Sequence, residues 1–552
     1  MNLQRIEGRT AAIVTAIFWI VIIGAGLYAR PLLPIDETRY VTVAWEMHVA
    51  DHWLVPILNG EAYSHKPPML FWLIRLGWML FGVSETWARL VAPLFGLGAL
   101  GLTAWLGRML WPGEAGRQAG NVAPLLLIAG AWWMLFSTMT FFDLMVAFCA
   151  LLGWIGLVQG LHYGRLWRGA VLTGIAIGLG VLTKGPVILV YILPPALFAP
   201  LWAKPDPRPR WLLWYAGVFL SIAIGAAIGL AWALPAAKAG GPAYEQAILW
   251  GQTAGRVEHS FAHRRPFWWY LPLLPLLLFP WSLWLPSWRS LRLWNKPAEP
   301  GLRFGLIVAA VGLIVFSAIS GKQPHYLLPL APALMLVVAR SLTAEWAVPP
   351  RRRDAILVAI VILALAAGVL GFSIVLGLMP KLAQKVQLPN WEFATTAEIA
   401  IVLLIAAMLS IWLAGRQKLS AALASMMVPS LAVYLAVHLI GFPPARAAYD
   451  LAPGAKFIAH GQQEGRPIAY LGDYAGEFQF LGRLKQPLRE ISSEEAAAWL
   501  EAHPNGWIVS RYYQSQLATA PKPIYMQPSR GRIMVIWDAA AIRDDPTFFS
   551  RR

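Results

Sequence analysis

The sequence predicts a polytopic α-helical membrane protein with a small α/β region at its C-terminal end. Three observations carry this reading. Of 552 residues, 58% are hydrophobic and only 13% charged, whereas a soluble domain is about a quarter charged. Mean hydropathy is +0.56. Many apolar windows run 17 to 25 residues, long enough to cross a hydrocarbon core about 30 Å thick.

Taken in order, the first apolar run, Ala11 to Tyr28, follows Arg5 and Arg9. It is longer than a secretory signal core, and YARPLLP is a poor cleavage site, so it reads as an uncleaved span. Further spans are expected at 88–110, 122–138, 142–161, 169–183, 187–203, 211–235, 267–288, 303–320, 325–341, 355–379, 397–414 and 420–440, thirteen in all. The segment 68–82 is apolar but short, and Arg75 interrupts it.

Loop charge decides how that segment lies. One alternate set of loops carries Arg108 and Arg117, Arg165 and Arg168, Lys204, Arg208 and Arg210, Arg289, Arg292 and Lys296, Arg340 with Arg351 to Arg353, and Arg416 with Lys418. The N-terminus shares their side only if 68–82 does not cross, so it is expected to be a re-entrant or interfacial helix. The N-terminus is then cytoplasmic. Asp36, Glu37, Arg39, Lys66, Asp143, Lys184, the 236–266 loop, Lys322, His325 and the tail collect on the other face.

The tail changes composition. GRPIAYLGD, NGWIVSRY and GRIMVIWDA read as strands. SSEEAAAWLEAHP reads as a helix, with Ser492 and Glu495 at capping-box spacing. The expected division is a transmembrane part, 1–442, with outer loops 30–87 and 236–266, and a soluble α/β part, 443–552.

Composition also excludes. The single cysteine, Cys149, lies in an apolar run, so neither an internal disulfide nor a cysteine metal site can form. The net charge of +17 suits anionic headgroups. Basic residues sit in short loops rather than on one soluble face, so no nucleic-acid partner is expected. GIAIGLGVLTKGP has glycines but no phosphate-loop pattern. Its small residues point to close helix packing.

Charges near lipid need a reason, because one in mid-span costs roughly 2.5–3.5 kcal/mol. Asp143 opens a span in TFFDLMVAF, Lys184 ends another in LTKGPV, and Lys322 lies between two in SGKQPHY. An interhelical ion pair is the plain alternative for each. Asp36 and Glu37 stand at the mouth of the first span in PLLPIDETRY. Asp36 could simply cap a helix over 37–50, with Tyr40, Val43, Met47 and Ala50 as its apolar stripe and Arg39, Thr42 and Glu46 on another face. Lys66 precedes Pro67 and Pro68, which fix the backbone and start a helix. A lysine so held suits a phosphate, with a solvated lysine before a helix as the plain alternative. The loop WGQTAGRVEHSFAHRRPFWWY carries Arg256, Glu258, His259, His263, Arg264 and Arg265. Its histidines have i, i+4 spacing, but phosphate recognition fits the basic residues better than a metal does.

The order of these motifs, ending in HRRPFWWYLPLLPLLLFPWS and KQPHYLLPLAP, resembles the C-type membrane glycosyltransferases. Within them it resembles the branch related to protein O-mannosyltransferases, and there the lipid A 4-amino-4-deoxy-L-arabinose transferases. The resemblance covers most of residues 10–340. It implies a C-type glycosyltransferase fold and a monomeric pentosyltransferase in the bacterial inner membrane. Donor, acceptor and setting would be an undecaprenyl-phosphate-linked sugar, lipid A and membrane lipids, with the active site facing the periplasm. The outcome would be the aminoarabinose modification tied to polymyxin resistance.

By the same resemblance, Asp36 matches the catalytic carboxylate, with Glu37 and Asp143 as further acidic candidates. Arg39 and Lys66 match holders of the lipid phosphate. Arg256, Arg264, Tyr326, Lys184 and Lys322 are expected around the same cavity. No cofactor is assigned, and a divalent metal is left open with His65, His259 and His263 as candidates. His65 stands where some members carry an acidic residue, which puts that position's role in doubt. The alternatives are another polyprenyl-phosphate-sugar glycosyltransferase with a protein or lipid acceptor, and a flippase for a lipid-linked sugar, which would also need a polar cavity and basic residues. A scaffold or sensor presenting the tail leaves Asp143, Lys184 and Lys322 unexplained.

Overall fold

The structure is a computed structural model that describes residues 5–204, 210–251, 264–290, 299–344, 347, 350–379, 393–416, 418–517, 520–542 and 548–549. Among these, ten runs of helix are long and apolar enough to cross a membrane, eleven if one bent pair is a single span. The chain is a multi-pass membrane protein. Its first nine helices are α1 (Gly8–Ala29), α2 (Asp36–Val49), α3 (Met69–Phe81), α4 (Glu85–Leu110), α5 (Gly113–Ala129), α6 (Ala131–Ser137), α7 (Asp143–His162), α8 (Leu166–Lys184) and α9 (Ile188–Leu197).

Among the described residues the thirteen expected spans do not all appear as separate long helices, and each difference has a local cause. The segment 122–138 is the pair α5 and α6, bent by 67°. The segment 267–288 breaks into short turns of helix. Pro272, Pro275, Pro280 and Pro286 each remove an amide donor there. The expected spans 169–183 and 187–203 lie in one stretch of helix, 166–197, that turns back at Gly185, where φ is 78°. Lys184 meets Asp143 at the start of α7, and His162 at its end meets Trp202, so α9 folds back along α7.

α3 spans 13 residues, about 20 Å at 1.5 Å per residue, too short to cross. The N-terminus agrees. Arg5 lies 3.7 Å from Glu114, and the Ile6 amide donates to Gln118 at 3.0 Å. The start of the chain and the loop after Arg108 therefore occupy one end of the bundle, as loop charge required.

The glycine-rich run packs closely. A Cβ at Gly174 would lie 2.7 Å from Ile224, and one at Gly178 would lie 2.6 Å from Ile228. Those glycines let α8 approach the helix Trp211–Gly240.

A two-stranded hairpin pairs β1 (Ile57–Leu58) with β2 (Glu61–Ala62). The C-terminal region holds β3 (Ile468–Leu471), β4 (Arg489–Ile491), β5 (Trp507–Tyr512), β6 (Tyr525–Ser529) and β7 (Arg532–Asp538) in one sheet, ordered β4-β3-β5-β7-β6. β3 runs parallel to both β4 and β5, while β7 runs antiparallel to β5 and β6. Alternation fills both faces: Trp507, Val509, Met534 and Ile536 pack on one side, Ile508, Tyr512, Val535 and Trp537 on the other. The expected capping box forms, with the Ser492 amide donating to Glu495 at 2.7 Å and the Glu495 amide to Ser492 Oγ at 3.2 Å.

This region clamps α2. Thr42 Oγ1 donates to the Gly476 carbonyl at 2.6 Å, and Trp45 Nε1 to the Leu484 carbonyl at 2.8 Å. Asn59 and Leu488 exchange two hydrogen bonds, at 3.0 and 2.9 Å. Phe480 stacks on Trp78 of α3 with ring centroids 5.3 Å apart. Two of the three residues on the polar face expected on α2 are thus covered by protein: Thr42 is buried, and Glu46 accepts from the Asn59 and Gly60 amides at 2.8 and 2.9 Å.

Candidate active site

The mouth of the first span is built around a buried arginine. Arg30 follows α1 directly, and its guanidinium meets Glu37 Oε1 at 3.1 Å, with a second contact to Oε2 and one to the Thr138 carbonyl. Glu37 also accepts from the Leu33 amide at 3.0 Å and the Thr140 amide at 2.7 Å. It is 1% exposed. Burial alone would raise its pKa, but the Arg30 charge and these donors outweigh that and hold the carboxyl below the usual glutamate range. Expected among the acidic catalytic candidates, Glu37 instead joins the ends of α1, α2 and α6, because its acceptor capacity is taken up.

Asp36 differs. It is the first residue of α2 rather than its cap, the preceding position being Ile35, and no side-chain cap bond forms. Its side chain is 54% exposed and lies 3.7 Å from Arg39 Nη1. Both residues line a cleft of about 410 Å³, with Leu33, Pro34, Ile35, Met139, Phe141 and Arg530 among the other walls. That volume falls in the range of small-molecule sites.

A second charged group stands beside it. Asp143, at the head of α7, is 2% exposed and accepts from Lys184 Nζ at 2.6 Å. His325 Nε2 is 3.9 Å from its other oxygen, and Lys184 sits 4.7 Å from the Tyr326 ring centroid. Tyr191 Oη donates to the Tyr326 carbonyl at 2.6 Å. Phe141 joins this group to the cleft, since it lines the cleft and packs 5.3 Å from the His325 ring. Lys66, held before Pro67 and Pro68 at the start of α3, places Nζ 6.0 Å from the Tyr40 ring centroid. Burial, reinforced by the charges of Asp36 and Asp143, holds the Tyr40 hydroxyl well above its usual range. The structure therefore gathers Asp36, Arg39, Lys66, Asp143, Lys184 and Tyr326 around Tyr40 and Phe141.

Other expected residues lie elsewhere. Lys322 is buried, and its ammonium donates to the carbonyls of Arg265, at 3.1 Å, and Ile319. It ties two loops together. Arg264 is exposed and bridges to Gly321 beside that junction. Arg256, His259 and His263 fall outside the described residues. His65 is exposed, 5.2 Å from the Tyr63 ring. Among the described residues, no cluster of three His, Cys, Asp or Glu side chains could hold a metal ion.

Sequence reasoning missed two residues. Arg30 had a signal, an arginine directly after a span and before a proline-rich turn. Arg530 had none, because it comes from the far end of the chain.

Comparison with known proteins agrees with this architecture. The dolichyl-phosphate-mannose-protein mannosyltransferase family model matches residues 10–239. An undecaprenyl phosphate-alpha-4-amino-4-deoxy-L-arabinose arabinosyl transferase of Enterobacter is 31% identical over 325 residues, covering 58% of this chain and 57% of that one. The chain is thus aligned with little more than half of that relative's length. A second transferase of that name, from Pseudomonas fluorescens, is 29% identical over 82% of this chain and 79% of the relative. The crystal structure of ArnT from Cupriavidus metallidurans bound to undecaprenyl phosphate superposes with a TM-score of 0.74, covering 96% of this chain and 98% of that one at 19% identity. That likeness is one of fold. Over residues 10–239 the chain is thus similar to the dolichyl-phosphate-mannose-protein mannosyltransferase family, and across nearly all of its length it shares the fold of the ArnT structure.

Proposed function

We propose that this protein transfers 4-amino-4-deoxy-L-arabinose from undecaprenyl phosphate to a phosphate of lipid A, at the periplasmic face of the inner membrane. The observation that carries the reading is the open carboxylate of Asp36 in a cleft shared with Arg39 and adjoined by Lys66 and Lys184. The names of the aligned relatives supply the sugar and the carrier. Lipid A as the acceptor follows from the motif resemblance. The periplasmic placement rests on loop charge, with Arg5 and the Arg108 loop at the opposite end of the bundle from Asp36. Residues 443–552 would lie on that outer side as a soluble domain.

In this reaction an acceptor phosphate oxygen attacks the anomeric carbon. The bond from that carbon to the carrier oxygen breaks, and undecaprenyl phosphate leaves as an anion. Arg39, Lys66 and Lys184 supply cations for the departing phosphate. The acceptor is already ionised, so it needs no base. Asp36 would then face the positive charge that develops on the sugar and orient the attack. A leaving group anchored in lipid explains a site at the membrane mouth.

The test is the mass spectrum of lipid A from cells with and without the gene. Addition of one aminopentose per modified phosphate, present only with the protein, is the expected result. Identical lipid A in both would defeat the assignment.

A further inference from the structure

The cleft contains one residue from the opposite end of the chain. Arg530 lies in the turn between β6 and β7, and it lines the cleft with Asp36, Arg39 and Phe141. The pairing of Ser529 with Arg532 leaves a two-residue turn, Arg530-Gly531, with φ values of 52° and 77°. Such a turn favours Asn, Asp or Gly at its first position, because a side chain there sits in the left-handed region. Turn chemistry does not select arginine here, and a broken local rule beside a cleft points to function.

The turn is also held in place. The Arg530 amide donates to the Ala448 carbonyl at 2.8 Å. The region behind it is clamped to α2 through Thr42 and Trp45 and to the β1–β2 turn through Asn59. No carboxylate among the described residues forms an ion pair with Arg530. Glu37 is neutralised by Arg30 and Asp36 is shared with Arg39. Arg530 therefore brings a cation into the cleft that no described acidic group there balances.

We propose that Arg530 is a specificity-determining residue that binds the anionic group of the acceptor, a phosphate, next to Asp36. This rests on the function proposed above. That reaction brings two phosphates together, one leaving and one attacking. Arg39, Lys66 and Lys184 come from the membrane part and serve the carrier. The guanidinium of Arg530 comes from the C-terminal region and serves the acceptor. Arginine suits the task because its planar fork matches phosphate oxygens in pairs. The C-terminal region would thus complete the site rather than merely cover it.

The test uses the full-length protein with Arg530→Asn and Arg530→Lys. Asparagine tolerates the left-handed turn better than arginine, so folding is protected. Three quantities are read: KM for purified lipid A, affinity for undecaprenyl phosphate, and melting temperature. The expected result for Arg530→Asn is a rise of about tenfold or more in acceptor KM, with carrier affinity and melting temperature unchanged. Arg530→Lys should recover part of the loss. An unchanged acceptor KM would reduce Arg530 to a turn residue and overturn the proposal. An equal loss of carrier affinity would place Arg530 on the donor and overturn it as well. Failure of the unaltered protein to modify lipid A would instead defeat the function itself, and this proposal with it.

Discussion

The wall of the cleft at Glu37, backed by Arg30 and Thr140, and its open side at Asp36 and Arg39 adjoin each other, yet they handle charge in opposite ways. In the wall, a fully buried carboxylate is surrounded by a guanidinium and two amides. On the open side, a half-exposed carboxylate has a single cation 3.7 Å away. The wall leaves no acceptor capacity for a ligand, and the open side leaves most of it. Adjacent acidic residues can therefore divide architecture from chemistry, and the division is set by which of them turns inward.

The largest effect on stability is expected at the wall. Glu37→Gln leaves the Arg30 charge buried without its partner and should cost about 3–5 kcal/mol of stability, read as a lower melting temperature in detergent. A stable Glu37→Gln protein would remove the architectural role. The pH dependence has a definite sign. The Glu37 pKa lies below its ordinary value of 4.5 in the fold, so its stabilising contribution is present above that value and is lost as pH falls through the depressed one. Acid sensitivity attributable to Glu37 should vanish in Glu37→Gln.

The open side can be sharpened next. Arg39→Ala and Lys66→Ala should each weaken undecaprenyl phosphate binding by about 1.5–3 kcal/mol while melting near the parent temperature. Binding unchanged in both folded variants would separate these cations from the carrier. A smaller effect is expected at the clamp. Thr42→Val leaves the Gly476 carbonyl without its donor and should cost about 1–2 kcal/mol. A measured loss near zero would mean that α2 does not depend on that contact.

Much of this was legible before the fold was known. The hydropathy windows located the ten long helices. Loop charge kept 68–82 out of the membrane, and the contact between Arg5 and Glu114 agrees. Alternation found β3, β5 and β7 but missed β4, three residues long, and β6, interrupted by Pro528. Lys66, Asp143 and Lys184 could be grouped because each is a charge beside a helix break on one face, whereas Tyr326 joined them only through the motif resemblance. The buried state of Glu37 was not legible, because its partners at Arg30 and Thr140 are set by helix packing. Nor was the cover over α2, whose Thr42 and Trp45 meet the connection between β3 and β4 more than 400 positions away. Pattern reads the faces of an element, whereas the identity of what covers a face depends on long-range topology.

The smallest stability effect is expected at Asp36, where the largest functional effect should appear. Asn keeps the size of the side chain, and no cap bond is lost. Asp36→Asn should therefore change stability by no more than about 0.5 kcal/mol. The direct measurement is transfer of aminoarabinose to lipid A by purified Asp36→Asn protein, followed by mass spectrometry, with melting temperature and undecaprenyl phosphate affinity taken on the same sample. The account predicts abolished transfer in a protein that melts normally and binds its carrier. Near-normal transfer by that protein would contradict it.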